Sequence, residues 1–222
     1  MKHKSNSSYC ARAKHSAFFA LALGSLATLT VGCSTAEGAP ASSSSHSVSI
    51  PADSRERIRQ VDELGRQLPF LTTFPDRWSN NNDGSSYEPC TAADEALLER
   101  NNLDPATVRD AAIANRQTLR GCVWTLRRYR AGTISQYVGN EESLDRYKLE
   151  YSRFSAFLPD SAIAGRRALV KVDKPRRCVT IVQSGKAAVF TSVSVMVDQP
   201  PIEHICQMAI DYTHATIDQM PE

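Results

Sequence analysis

Eleven consecutive residues, Ala187-Ala188-Val189-Phe190-Thr191-Ser192-Val193-Ser194-Val195-Met196-Val197, limit most sharply what this chain can fold into. Val189, Thr191, Val193, Val195 and Val197 recur at every second position, with Phe190, Ser192, Ser194 and Met196 between them. β-Branched side chains lose rotamer freedom in a helix and pack well on a pleated surface. A period of two therefore places the valines on one face of a strand and the mixed residues on the other. A single strand cannot satisfy its own backbone, so partners are required. Arg167–Val172 (RALVKV) and Cys178–Gln183 (CVTIVQ) supply two, bounded by Pro175 and by Ser184-Gly185. Cys122–Arg130 (CVWTLRRYR) and Thr133–Val138 (TISQYV) alternate in the same way around Gly132 and read as a hairpin.

Helical patterns flank this block. Asp53-Ser54-Arg55-Glu56 has the form of a capping box, and Ile58, Val61, Leu64 and Leu68 follow near helical spacing, predicting a short amphipathic helix over 55–69. Phe74–Cys90 (FPDRWSNNNDGSSYEPC) reads as a loop from its Asn, Asp, Gly, Ser and Pro content. Thr91 as a cap, Asp94 and Glu95 in the first turn, and Leu97 and Leu98 beyond it predict a second helix. Pro105 opens a third, to about Ala114, and Ser143–Tyr151 a fourth. After Pro200-Pro201 a last helix carries Ile202, Ile205, Cys206, Ala209, Thr213, Ile217 and Met220 as its apolar stripe. The expected fold is a single α+β domain over 70–222, an antiparallel sheet of about five strands with helices packed on one face.

The amino terminus has a different character. Lys2, Lys4, Arg12 and Lys14 precede an apolar run, Ala17–Val31, that falls short of the roughly twenty residues a membrane-spanning helix needs. It reads as an export signal over 1–32. Its end, Leu29-Thr30-Val31-Gly32-Cys33, resembles the lipobox of bacterial lipoproteins, in which the cysteine is acylated and becomes the mature terminus; Thr30 stands where Leu is usual. Cleavage by an ordinary signal peptidase near Ala36 or Ala39 is the alternative. Residues 33–54, rich in Ser, Ala and Pro, have the composition of a solvated tether. The expected location is the extracytoplasmic face of the cell membrane, held there by lipid. The signal carries four of the 26 basic residues and none of the 24 acidic ones, so the remainder is slightly acidic. That balance gives no support for nucleic-acid binding or a polybasic membrane patch.

Cys90, Cys122, Cys178 and Cys206 remain in the body. An even number in an exported chain points to disulfides, and four cysteines allow three connectivities. Zinc is the competing use, but no CxxC or paired-histidine spacing accompanies them. Asn80, Asn82, Asp83 and Glu88 lack the carboxylate spacing of a calcium loop and read as residues capping their own turn. No GxSxG is present, and Ser184-Gly185-Lys186 is a hairpin turn rather than a phosphate loop. His204 and His214, ten residues apart, would project about 280° apart around one helix. Glu141 and Glu142 are adjacent and diverge. No catalytic residue, metal or cofactor is expected.

Strand alternation does mark a candidate binding face. With Cys122, Trp124 and Leu126 turned toward the helices, Thr125, Arg127 and Tyr129 point the other way, where Ser135 and Tyr137 join them from the paired strand. Arg and Tyr are enriched at interface hot spots. Trp78, in the polar loop, is a further candidate.

Asn80–Cys90 (NNNDGSSYEPC), Leu103–Val108 (LDPATV), Arg120–Trp124 (RGCVW), Cys178 on a later strand and Cys206 in the last helix occur in this order. The chain thereby resembles the actinobacterial lipoprotein family called domain of unknown function 3558. The resemblance covers about Phe74 to the carboxyl terminus, with the lipobox. It implies a lipid-anchored α+β domain in a thick-walled or mycolate-bearing envelope, with Cys90 bonded to Cys122 and Cys178 to Cys206. It implies no activity. Two classes of function follow: a non-catalytic module that binds an envelope protein, glycan or lipid, with a small-ligand carrier as a variant; or an enzyme whose site is assembled from scattered residues.

Overall fold

The computed structural model describes residues 58–173 and 175–222. The signal, Cys33, the tether and the capping box lie outside the described residues. Among the described residues no helix is long and apolar enough to cross a membrane.

Eight strands form one sheet: β1 (Leu103–Asp110), β2 (Leu119–Leu126), β3 (Gly132–Gly139), β4 (Ala156–Phe157), β5 (Ser161–Ile163), β6 (Arg166–Asp173), β7 (Arg177–Ser184) and β8 (Ala187–Val195). Their order is β1-β2-β3-β8-β7-β6-β4, with β5 also on β6. Every pairing is antiparallel. The five strands expected from alternation form the contiguous middle, β2-β3-β8-β7-β6. The other three correct the strand count. β4 and β5 are too short to display a period. β1 replaces the helix expected from Pro105: proline has no N–H to donate, but β1 is the sheet edge and its register with β2 skips between Asp104 and Arg109. The hydroxyl of Thr107 fills the skipped stretch by accepting from the Thr125 N–H at 2.9 Å.

The helix expected over 55–69 is likewise absent from its described part. Val61 bridges Gln67 across a turn in which Asp62 accepts hydrogen bonds from the Leu64 and Arg66 N–H groups, Gly65 takes φ +77°, and Leu64 is 78% exposed. An aspartate that satisfies nearby N–H groups offers the chain a turn in place of a helix. The observed helices are α1 (Pro89–Ala92), α2 (Glu95–Arg100), α3 (Leu144–Tyr151) and α4 (Ile202–Thr216), the last followed by a 3₁₀ turn, Ile217–Gln219. Glu88 caps α1, Asp94 rather than Thr91 caps α2, and Ser143 caps α3.

The helices lie on both faces of the sheet, not on one. Cys122, Trp124 and Leu126 of β2, Ile134 of β3, Val193 and Val195 of β8 and Cys178 of β7 form one core with Ile205, Cys206, Ala209 and Tyr212 of α4. Threonines continue this seam, since Gln136 of β3 donates to Thr191 and Thr216 at 2.9 Å each and accepts from the Tyr87 hydroxyl at 2.7 Å. On the opposite face Leu144 and Tyr147 of α3 pack over Leu169, Val179, Ile181, Ala188 and Phe190. α3 has eight residues and roofs only part of that face. Two disulfides lock the first core: Cys90–Cys122 ties α1 to β2, and Cys178–Cys206 ties β7 to α4.

Candidate functional site

A buried ion cluster and an aromatic groove are the candidate sites, and burial separates them. The first is the polar loop before α1. Arg77, Glu88 and Arg120 are each 1% exposed. Arg77 donates to both carboxylate oxygens of Glu88, at 2.9 and 3.2 Å, and to Asp110 at 2.9 Å. Arg120 donates to Glu88 at 3.1 Å, to the carbonyls of Asn82 at 3.0 Å and Tyr87 at 2.6 Å, and to that of Ser85. Burial works against both guanidinium charges; it holds Arg120 below its ordinary value, whereas Glu88 and then Asp110 outweigh it at Arg77 and lift that group above its own. With these bonds made and the cluster sealed from solvent, no position is left for a reacting molecule. The cluster is a clamp that orders an otherwise polar loop. Asn82 serves the same end, donating to the Arg77 and Gln117 carbonyls at 3.0 and 2.8 Å.

The residues expected to share a binding face are scattered. β2 ends at Leu126; beyond it the Arg127 N–H donates to Asn102 O at 2.9 Å, and the Arg127 guanidinium lies 3.6 Å from Glu99. The alternation stops there, so Tyr129 turns back to the α4 side, packing on the core and meeting His204 edge-on at 6.3 Å. Trp78 lies between the guanidiniums of Arg59 and Arg77, at 4.3 and 4.6 Å from its ring, which accounts for an indole in a polar loop as packing. Thr125, Ser135 and Tyr137 remain on the open face of the sheet, and of these Tyr137 lines the groove beside α3.

Tyr137 belongs to the second place, a groove of about 430 Å³ beside α3, lined by Leu119, Tyr137, Tyr147, Tyr151 and Phe190 with Thr118, Asn140 and Glu141 at its edge. Its floor follows from register. Tyr137 of β3 stands opposite Phe190 of β8, and the rings stack at 5.3 Å with 12° between planes. Tyr147 meets Phe190 edge-on at 5.3 Å and stacks on Tyr151, one helical turn away, at 4.4 Å. Gly139 keeps the floor open, because a Cβ there would stand 2.9 Å from Phe190 and 3.2 Å from Leu119. The ammonium of Lys171, 8% exposed, lies 5.9 and 5.5 Å from the rings of Tyr147 and Tyr151. Burial pushes the phenols of Tyr137 and Tyr147 above their ordinary values, with neighbouring tyrosines adding to it at Tyr147, so both stay neutral. Glu141 is held by Arg146 at 3.2 Å.

Such a groove offers stacking faces with an amide, a hydroxyl and a carboxylate at one edge. It brings together no nucleophile and base: its titratable groups are phenols and one paired carboxylate. Among the described residues no group of three or more His, Cys, Asp or Glu could hold a metal ion. Sequence reasoning missed six of the side chains, Thr118, Leu119, Asn140, Tyr147, Tyr151 and Phe190, and passed over Glu141 as a catalytic acid. The available signals were a phenylalanine among small residues on the off-core side of β8 and tyrosines at i and i+4 in α3.

A family model described as a protein of unknown function (DUF3558) matches residues 28–219. No curated protein and no solved structure matches the chain.

Proposed function

Because the chain belongs to the DUF3558 family of proteins of unknown function, a description that assigns no activity, we propose a role from its own geometry: an exported, lipid-anchored, non-catalytic module whose aromatic groove binds envelope saccharide. The observation that carries this reading is the exposed margin of the groove beside α3, where Tyr151 is 36% exposed and the apolar Leu119 37%, next to the buried rings of Tyr147 and Phe190. The apolar C–H face of a pyranose or furanose ring fits a surface of phenol rings, while Asn140, Thr118 and Glu141 stand where hydroxyls or acetamido groups can hydrogen-bond. Export is supported by the shape of the signal and by the two disulfides, bonds that persist in oxidising compartments. The enzyme reading has no comparable support, since His204 sits at Tyr129 near the start of α4 and His214 near its end, neither of them in the groove.

Two outcomes test the proposal. For the anchor, Cys33→Ala is expected to move the protein from the detergent phase to the aqueous phase in a partition experiment; equal partitioning of mutant and wild type contradicts acylation. For the groove, titration with β-1,4-linked N-acetylhexosamine oligomers and with neutral pentose and hexose oligomers is expected to yield at least one binding series. The Tyr151→Ala/Asn140→Ala double variant should weaken it about tenfold or more. Both side chains are exposed, and loss of the Tyr147–Tyr151 stack costs about 0.5–1.5 kcal/mol, so the melting temperature should fall by only a few degrees. Undiminished affinity in the double variant removes the groove as the seat.

A further inference from the structure

The register places four segments at one end of the sheet: the β2–β3 turn, the end of β8, the β6–β7 turn and the residues before β4. Gly132 stands opposite Val195, Arg177 opposite Ser194 and Asp173, and Ala156 opposite Val172. Backbone and side-chain bonds join them into a row. Met196 N–H donates to Ala131 O at 3.3 Å and Val195 N–H to Arg176 O at 3.0 Å, and the Ser155 hydroxyl donates to Asp173 at 2.9 Å.

This row exposes apolar side chains between arginines. Phe154 is 83% exposed, Met196 49% and Val197 39%. Arg128, Arg130, Arg153 and Arg176 are exposed and form no ion pair among the described residues. Of the acids in these segments, Asp173 is engaged by Arg177 and Lys171, and only Asp198 stands without an ion pair among the described residues. The other end of the sheet carries both signs: Glu141 and Glu142 follow β3 there, beside Lys186 of the Ser184–Ala187 turn and Arg166 and Arg167 at the start of β6.

We propose that this basic, apolar end of the sheet seats on an anionic bilayer surface. Apolar side chains of such a rim enter the boundary between headgroups and acyl chains, and each arginine near an anionic surface adds favourable free energy. Charge complementarity and the interleaved apolar groups select this occupant: phosphate backbones of nucleic acids offer nothing to Phe154 or Met196. Seating does not rest on acylation at Cys33 or on saccharide binding. Its consequence for the groove is geometric: Leu119, Gly139 and Asn140 lie at the opposite end of the strands and would face away from the bilayer, whereas Tyr151, whose carbonyl accepts from the Phe154 N–H at 3.0 Å, stands toward it.

Labels at the two ends test this in the full chain. An environment-sensitive fluorophore is placed at Met196→Cys or at the exposed Lys186→Cys in the β7–β8 turn, with the unsubstituted chain as the labelling background. Vesicles of phosphatidylcholine with and without phosphatidylglycerol carry a headgroup-level nitroxide quencher. Quenching is expected at 196 and not at 186, and only when phosphatidylglycerol is present. An Arg128→Gln/Arg176→Gln pair should weaken the vesicle association that produces it by roughly tenfold to thirtyfold. An acyl anchor or retained signal attaches both labelled proteins alike and cannot create the difference. Equal quenching at both positions, quenching independent of phosphatidylglycerol, or vesicle-free shielding of 196 that rises with protein concentration, as a second copy would give, each overturns the proposal.

Discussion

Glu88→Gln is expected to cost about 3–5 kcal/mol of folding stability, the range for breaking a buried ion cluster by removing one partner. The substitution preserves shape and removes the carboxylate charge that both Arg77 and Arg120 contact. Two guanidiniums would then remain at 1% exposure, with Asp110 alone to offset them through Arg77. Glu88 also accepts the Cys90 N–H at the start of α1, so the loop, the cap and the disulfide beside it loosen together. Against a total of roughly 5–15 kcal/mol for a domain, the loss is a large fraction. Denaturant unfolding followed by circular dichroism measures it; a loss below about 1 kcal/mol, the scale of an ordinary surface ion pair, would show that the cluster does not hold the loop.

The Cys178→Ala/Cys206→Ala double variant should lose about 3–4 kcal/mol, from the chain-entropy value for a loop of this size, the two cysteines being 28 residues apart. The bond joins the buried start of β7 to the face of α4 that covers the first core. Without it α4 keeps its packing against Trp124, where Tyr212 lies at 5.9 Å, so the variant should fold to the same structure with a lower midpoint. Comparing oxidised and reduced wild type alongside the variant checks the assignment. An unchanged midpoint would mean that the cross-link adds nothing to a helix already fixed by burial.

The middle of the sheet was legible because strand alternation is local: the valines of β8 and the Cys122-Trp124-Leu126 set announce their core face without knowledge of their partners. What failed depended on distant groups. Pro105 signals a helix start unless a strand edge excuses its missing N–H, as β1 does. Arg77 and Arg120 read as surface residues because the carboxylate that admits them to the interior lies in a loop eleven residues from one and thirty-two from the other. The pairing of the cysteines was implied by family resemblance, not by their spacing. The binding face expected from Arg127 and Tyr129 dissolved where β2 ended, and of its residues Tyr137 alone lines the groove. The groove could not be read from the chain, since the Tyr137–Phe190 stack spans fifty-three positions and exists only through the β3–β8 register.

The claim that this groove is the ligand seat is tested most directly by mapping amide chemical-shift changes in the isotope-labelled protein during titration with the same saccharide panel. The account predicts changes concentrated at Leu119, Gly139, Asn140, Glu141 and Tyr151, saturating with a single dissociation constant. Changes confined to the α4 face, or a bound saccharide that leaves these five amides unmoved, would contradict it.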